Sequence, residues 1–510
     1  MALGTLALAT LSLELAHLVI TVASSDAKQA GSAEYLELFY EQALDHFEVL
    51  PGARWTHRYL LGNSSWDGRG KLENGCRGPI LLYAGNEGNI EGFWAGNGFM
   101  IEVLAPRWGA LLVFPEQRFY GKSQPFPTSS LTARELSFLT TAQVLEDYVE
   151  LVGHLKSSLP EASNCPVIAF GGSYGGTLAA LLRATRPAVI TGALAASSEL
   201  GYYDVAGWAS HGVSTYTFEN IVLDNYAQAR PTCLPVVRAA VAALEAASWD
   251  EATKAMHVCS ADALRPSKSS LFTYALEGLP QQNYPYRIGV LPGSPVGAIC
   301  DILIAGNASP ESAGVATRLA LGFTQDACIP VLGVGGPGNT PGDGPGPGAW
   351  GWQSCTETLH GFSARRLRSY SFDFNASAKQ CGGIYGAGVV PDMSAIARRF
   401  GGYALADGTS GATRLIWSQG TLDPWHGWFR GVARPPAASD VHHIVMVGAA
   451  HHLDLRAPNA ADPPDVVRGR HAEMEIIERW IHEASQAPPS AAASTPPLDA
   501  ARTATMLVIT

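Results

Sequence analysis

The stretch Ala169-Phe170-Gly171-Gly172-Ser173-Tyr174-Gly175-Gly176-Thr177 follows an apolar run, Cys165-Pro166-Val167-Ile168, and leads into Leu178-Ala179-Ala180-Leu181-Leu182-Arg183. A strand, a serine flanked by glycines and then a helix form the context of the G-x-S-x-G nucleophile elbow. The turn between strand and helix is so tight that the serine backbone is strained and its neighbours must lack side chains. The hydroxyl then projects from the end of a sheet, with a helix N-terminus behind it. Glycine and serine are common, and an ordinary glycine-rich turn is the plainer alternative. Glycines at 171, 172, 175 and 176, with these flanks, make Ser173 a candidate nucleophile.

The neighbouring chain repeats the same rhythm. Residues 35–47 are mixed aromatic and acidic, and Arg54–Leu60 alternates like a strand. Pro79–Ala84, Gly109–Pro115 and Val189–Ala196 are short apolar runs, hence buried strands. Thr140–Leu159 carries a helical apolar face. Short apolar strands alternating with helices predict a parallel sheet covered on both faces. After about residue 200 the rhythm stops, and 203–330 is mostly helical in composition, clearest at Val237–Ala247 and Val315–Leu321. Residues 333–348 are rich enough in Gly and Pro to predict a loop. The rhythm returns at Arg414–Ser418 and His443–Val447, followed by an amphipathic helix over Asp465–Ala484. The predicted organisation is a signal peptide over 1–24, with an uncleaved anchor as the alternative, a first core segment over 35–202 and a helical domain over 203–395. A second core segment spans 396–484, and a disordered tail rich in Ala, Pro and Ser spans 485–510.

A serine hydroxyl needs a base to take its proton, and the base needs a carboxylate to orient it. Behind a nucleophile elbow these partners follow in the order Ser, Asp, His, in loops after late strands. Asp423 lies in Gln419-Gly420-Thr421-Leu422-Asp423-Pro424-Trp425, after the first late strand. The second is followed by Gly448-Ala449-Ala450-His451-His452, where residue chemistry alone leaves His451 and His452 both open. No paired acidic or cysteine ligands accompany these histidines, so neither a metal nor another cofactor is expected. Two backbone N–H groups should form an oxyanion hole: one from Tyr174, the other from Gly85 or Asn86 after an early strand.

With 510 residues and a net charge of −11, the chain is expected to have more than one domain and no nucleic-acid partner. No stretch after the apolar N-terminal segment is long enough to span a bilayer, so no stable membrane partner is expected. The eight cysteines form no C-x-x-C pair, and six of them fall between 233 and 381, which suggests a stapled subregion. Sequons at Asn63, Asn307 and Asn375 agree with the secretory route, to a lysosome, a vacuole or the exterior.

With these residues placed, the chain resembles the serine exopeptidase family of lysosomal Pro-X carboxypeptidase and dipeptidyl peptidase II. The resemblance is carried by Gln42-Ala43-Leu44-Asp45-His46-Phe47, Gly85-Asn86-Glu87-Gly88, Arg118-Phe119-Tyr120-Gly121-Lys122-Ser123 and Gly171–Gly176. Further on it is carried by Tyr284-Pro285-Tyr286, Gln353-Ser354-Cys355-Thr356-Glu357, Leu422–Trp425 and Ala450–Arg456. It implies the α/β class: an α/β-hydrolase core with an inserted, disulfide-containing helical cap. It further implies His451 as the catalytic histidine, Arg456 as a nearby charge, and Cys355 and Cys381 as a disulfide. Trp425, whose flat ring packs well on proline unless it serves the core, and Glu87 are candidate substrate contacts. Gln117 stands where the family usually has histidine, and His426, Trp428 and Phe429 replace small residues. These departures are expected around the substrate entrance.

The expected activity is that of a serine exopeptidase acting on peptide substrates beside proline or a small residue at a chain end. Whether it removes dipeptides or single C-terminal residues stays open, with Asp301 leaning toward dipeptides. An esterase or lipase, or an inactive hydrolase-like binding protein, are the alternatives. A homodimer is an allowed assembly.

Overall fold

The computed structural model describes residues 34–49, 52–126, 131–324, 326–330, 348–367 and 369–486. The expected signal peptide, nearly all of the 333–348 loop and nearly all of the tail lie outside them.

Eight strands make one sheet: β1 (Leu36–Ala43), β2 (Arg54–Gly62), β3 (Ile80–Tyr83), β4 (Leu111–Pro115), β5 (Val167–Gly172), β6 (Gly192–Ala196), β7 (Leu415–Gly420) and β8 (Val441–Met446). Their order is β1-β2-β4-β3-β5-β6-β7-β8. The first two pairings are antiparallel and the others parallel. Strands β3 to β7 are buried along their whole length, which is why they read as unbroken apolar runs. β1 lies at the sheet edge, with Glu37, Phe39 and Glu41 exposed on one face and Leu38 and Tyr40 packed against the core on the other.

Neighbouring residues on each strand feed opposite faces. Leu82 and Val113 join the core beneath α1 (Thr141–Ser158) and α2 (Tyr174–Thr185), whereas Leu81 and Phe114 join the core that carries Trp480. Trp480 belongs to the long C-terminal helix Pro464–Gln486.

Between β6 and β7 the chain leaves the sheet and builds helices, including Thr217–Ala229, Cys233–Ala246, Ser270–Gly278, Pro295–Ala305 and Pro310–Ala320. Their apolar side chains continue the core of one sheet face. Three disulfides staple this insertion: Cys233–Cys300, Cys259–Cys328 and Cys355–Cys381. Cys76–Cys165 ties the starts of β3 and β5 together. The architecture is an α/β-hydrolase core with a disulfide-containing helical insertion.

Candidate active site

Asn86, Ser173, Asp423 and His451 each sit past the C-terminal end of a parallel strand, where an open α/β sheet presents its loops. At the end of β5, Ser173 has φ 59° and ψ −129°, a left-handed conformation that a side chain resists. A Cβ on Gly171 would come 1.9 Å from the Gly175 carbonyl oxygen. One on Gly175 would lie 2.8 Å from both the Ala84 carbonyl and Asn86 Oδ1. These glycines let the elbow close against itself and against the loop after β3. α2 starts at Tyr174, so its N-terminal amides and the positive end of its dipole lie beside Ser173.

Past β7, the Asp423 side chain has two partners. Oδ1 accepts from the Trp425 amide at 3.1 Å and Oδ2 lies 2.8 Å from His451 Nδ1. The two side chains are 0% and 1% exposed, so water does not compete for this contact. The insertion grips the same histidine. The His451 amide donates to the Gln281 carbonyl at 3.2 Å and Tyr284 Oη donates to the His451 carbonyl at 3.0 Å. From below, the buried Arg470 donates to the carbonyls of Leu453, Asp454 and Arg456. His452 turns away with φ 36°, its amide donating to Ser197 Oγ at 2.7 Å and its ring against Gly172. Burial, then the charges of His451 and Arg456, hold its imidazole well below the usual histidine range. Geometry therefore separates the two histidines that residue chemistry left open.

Ser173 and His451 line one cavity, together with Asn86, Glu87, Trp425 and Arg456. Gly85 is not among the lining residues. The Pro115 carbonyl lies 2.0 Å from where its Cβ would be, so glycine serves packing against β4 rather than approach of a substrate. Of the two early-loop residues expected at an oxyanion hole, Asn86 is the one facing the cavity. Glu87 accepts from Asn86 Nδ2 at 2.9 Å, and burial followed by repulsion from Glu199 raises its carboxyl to about 7. Trp425 Nε1 donates to Gln281 Oε1 at 2.8 Å, and its ring packs on Phe218 and His360. The Arg456 guanidinium lies 4.8 Å over the Tyr284 ring.

Sequence reading missed Glu199. It lies just past β6, is 2% exposed, and accepts from Ser173 Oγ at 3.3 Å. The signal was available: a polar residue right after a buried strand, as at the ends of β5, β7 and β8.

Other expectations change. Asp301 is exposed and paired with Arg230 at 2.7 Å, and it is not among the lining residues. Gln117 is fully buried and donates to Gln353 Oε1 at 3.3 Å, and His426, Trp428 and Phe429 are buried. These departures belong to packed interior rather than to an entrance. The motif residues Gln42, His46 and Arg118 converge on Asp147, with Arg118 at 2.6 Å. Burial opposes the charge of Asp147, but the Arg118 guanidinium and its hydrogen bonds bring the carboxyl to about 2. Glu357 caps α1 through Thr141, and Gln353 Nε2 donates to Tyr174 Oη at 3.1 Å. Much of the shared motif set thus holds segments together. The sequon residues Asn63, Asn307 and Asn375 are exposed.

The family model for serine carboxypeptidase S28 matches residues 42–270 and 338–473. The chain is 32% identical over 480 residues to lysosomal Pro-X carboxypeptidase of Mus musculus, covering 90% of this chain and 92% of that protein. It is also 32% identical over 478 residues to the Homo sapiens protein of that name, covering 89% and 90% respectively. Among solved structures, proline iminopeptidase of Mycobacterium smegmatis aligns with a TM-score of 0.38 at 13% identity, covering 88% of this chain and 99% of that one.

Proposed function

Because the chain belongs to the serine carboxypeptidase S28 family, and is a serine-type exopeptidase, we propose that it cleaves peptides beside proline or a small residue through an acyl-enzyme on Ser173. The observation that carries this reading is the strained Ser173 facing the same cavity as the buried His451–Asp423 pair.

Ser173 Oγ turns from Glu199 toward His451 and attacks the scissile carbonyl carbon, while His451 Nε2 takes the hydroxyl proton. Asp423 fixes the Nδ1–H tautomer and stabilises the imidazolium. The oxyanion lies toward the amides of Tyr174 and Asn86. As the C–N bond breaks, His451 returns the proton to the leaving amine. A water then attacks the ester by the same route and frees Ser173. The flat ring of Trp425 suits a wall for a proline ring. The relatives' names support proline beside the cut bond, and the helical insertion over the site suits an enzyme that admits chain ends. Four disulfides and those relatives support an oxidising, lysosomal or secretory location.

A fluorophosphonate probe followed by peptide mapping tests the nucleophile: label is expected on Ser173 and absent from Ser173→Ala. Proline peptides blocked at either end test the activity. Hydrolysis of acyl esters with no peptide cleavage, or label on another serine, overturns the proposal.

A further inference from the structure

Glu199 has a place in the cavity that the scheme above does not use. Its side chain is 2% exposed and its Oε1 accepts from Ser173 Oγ at 3.3 Å. Its Oε2 is 2.9 Å from His360 Nε2, yet the contact lies off the hydrogen-bond direction. Tyr203 Oη also stands beside the carboxylate, and Glu199 Oε2, His360 Nε2 and Tyr203 Oη all lack a well-aligned hydrogen bond, which is rare for buried polar atoms. The other groups with an electrostatic influence here are Glu87 and Tyr203, with His451 and Arg456 lining the same cavity. Arg456 lies over the Tyr284 ring.

A carboxylate buried this deeply is held well only where a cation or several donors meet it. A group bound at Glu199 would also lie close to the scissile bond, because the acyl carbon becomes bonded to Ser173 Oγ. We propose that Glu199 anchors a protonated amine on the acyl side of the substrate. That amine is either the α-ammonium of a free chain end or the side-chain cation of a lysine or arginine. By occupying the carboxylate it also releases the Ser173 hydroxyl to turn toward His451. The inference rests on the reading of Ser173 as nucleophile. It supplies the acidic anchor that Asp301 does not.

The test uses two pairs of coumarin amides on the full-length protein. The first compares Ala-Pro-coumarin amide with its N-acetyl form. The second compares acetyl-Ala-Lys-coumarin amide with the norleucine analogue. The cationic member of at least one pair is expected to have a kcat/KM about 10- to 100-fold higher, the range of a hydrogen bond to a charged group. Preference in the first pair identifies the α-ammonium, and in the second the side chain. In Glu199→Gln that ratio collapses toward one. Should Glu199→Gln fail to fold, Glu199→Asp replaces it and shrinks the ratio while keeping it above one. The proposal is overturned by no preference in either pair, or by a ratio untouched by the substitution. It is also overturned by cleavage confined to peptides with a free C-terminal carboxylate and lost in Arg456→Gln. Ser173 labelling persists in all these outcomes, whereas failure of the nucleophile assignment removes it.

Discussion

Asp423 Oδ2 and His451 Nδ1 lie 2.8 Å apart with both side chains excluded from water, although 28 residues separate them in sequence. The isolation fixes the direction of the contact. Asp423 is committed at Oδ1 to the Trp425 amide, so only Oδ2 addresses the ring. Replacing Asp423 with Asn keeps the shape but offers an amide where a carboxylate held the Nδ1 proton. For Asp423→Asn, kcat is expected to fall on the order of 10⁴-fold. Steady-state kinetics beside a thermal melt check this; a fall under tenfold would show that the pair is structural.

The Glu87 carboxyl is raised from 4.5 to about 7, by burial first and by the Glu199 charge second. The folded protein therefore holds this proton more tightly than the unfolded chain does. The resulting stability is full below pH 4.5 and is lost as pH rises through about 7. Tm curves of wild type and Glu87→Gln should diverge across that window, with the variant declining less. Parallel curves would show that Glu87 titrates like an exposed carboxylate.

At Gly171 even a methyl group would meet the Gly175 carbonyl at 1.9 Å, and backbone cannot give way there without moving Ser173. Gly171→Ala is expected to cost on the order of 3 kcal/mol in stability, the upper range for overpacking. Ser173 labelling should be lost before folding is. Denaturant titration and probe labelling of one sample decide it.

The bridges Cys355–Cys381 and Cys76–Cys165 close loops of separation 26 and 89. Chain entropy makes the longer loop worth more, about 4.5 against about 3.5 kcal/mol. Serine double variants at each pair, compared by denaturant midpoint, should fall in that order. A reversed order would mean that native contacts rather than loop closure dominate.

Much of the site was legible because its chemistry is local. The elbow shows in sequence as glycines around Ser173, since steric exclusion acts between residues a few positions apart. Asp423 showed because a turn after a buried strand has few polar residues to choose among. The edge strand Leu36–Ala43 was not legible, since an apolar residue, Phe39, lies on its exposed face and a polar one, Gln42, is buried on the other, which breaks the apolar–polar alternation that marks a strand.

What the sequence determined by itself is the parallel part of the sheet, from β3 to β8, and the strained serine, both set by short-range sterics and apolar periodicity. Tertiary structure alone decided the rest. It set the His451 ring, which the family resemblance favours and residue chemistry left level with His452, against Asp423. It withdrew Asp301 to the surface and Gln117 to the interior, and brought Glu199 to within 3.3 Å of Ser173. The physical reason is that these relationships join separate strand ends. Their distances follow from sheet order and from how the helical insertion packs, neither of which leaves a periodic trace in the chain.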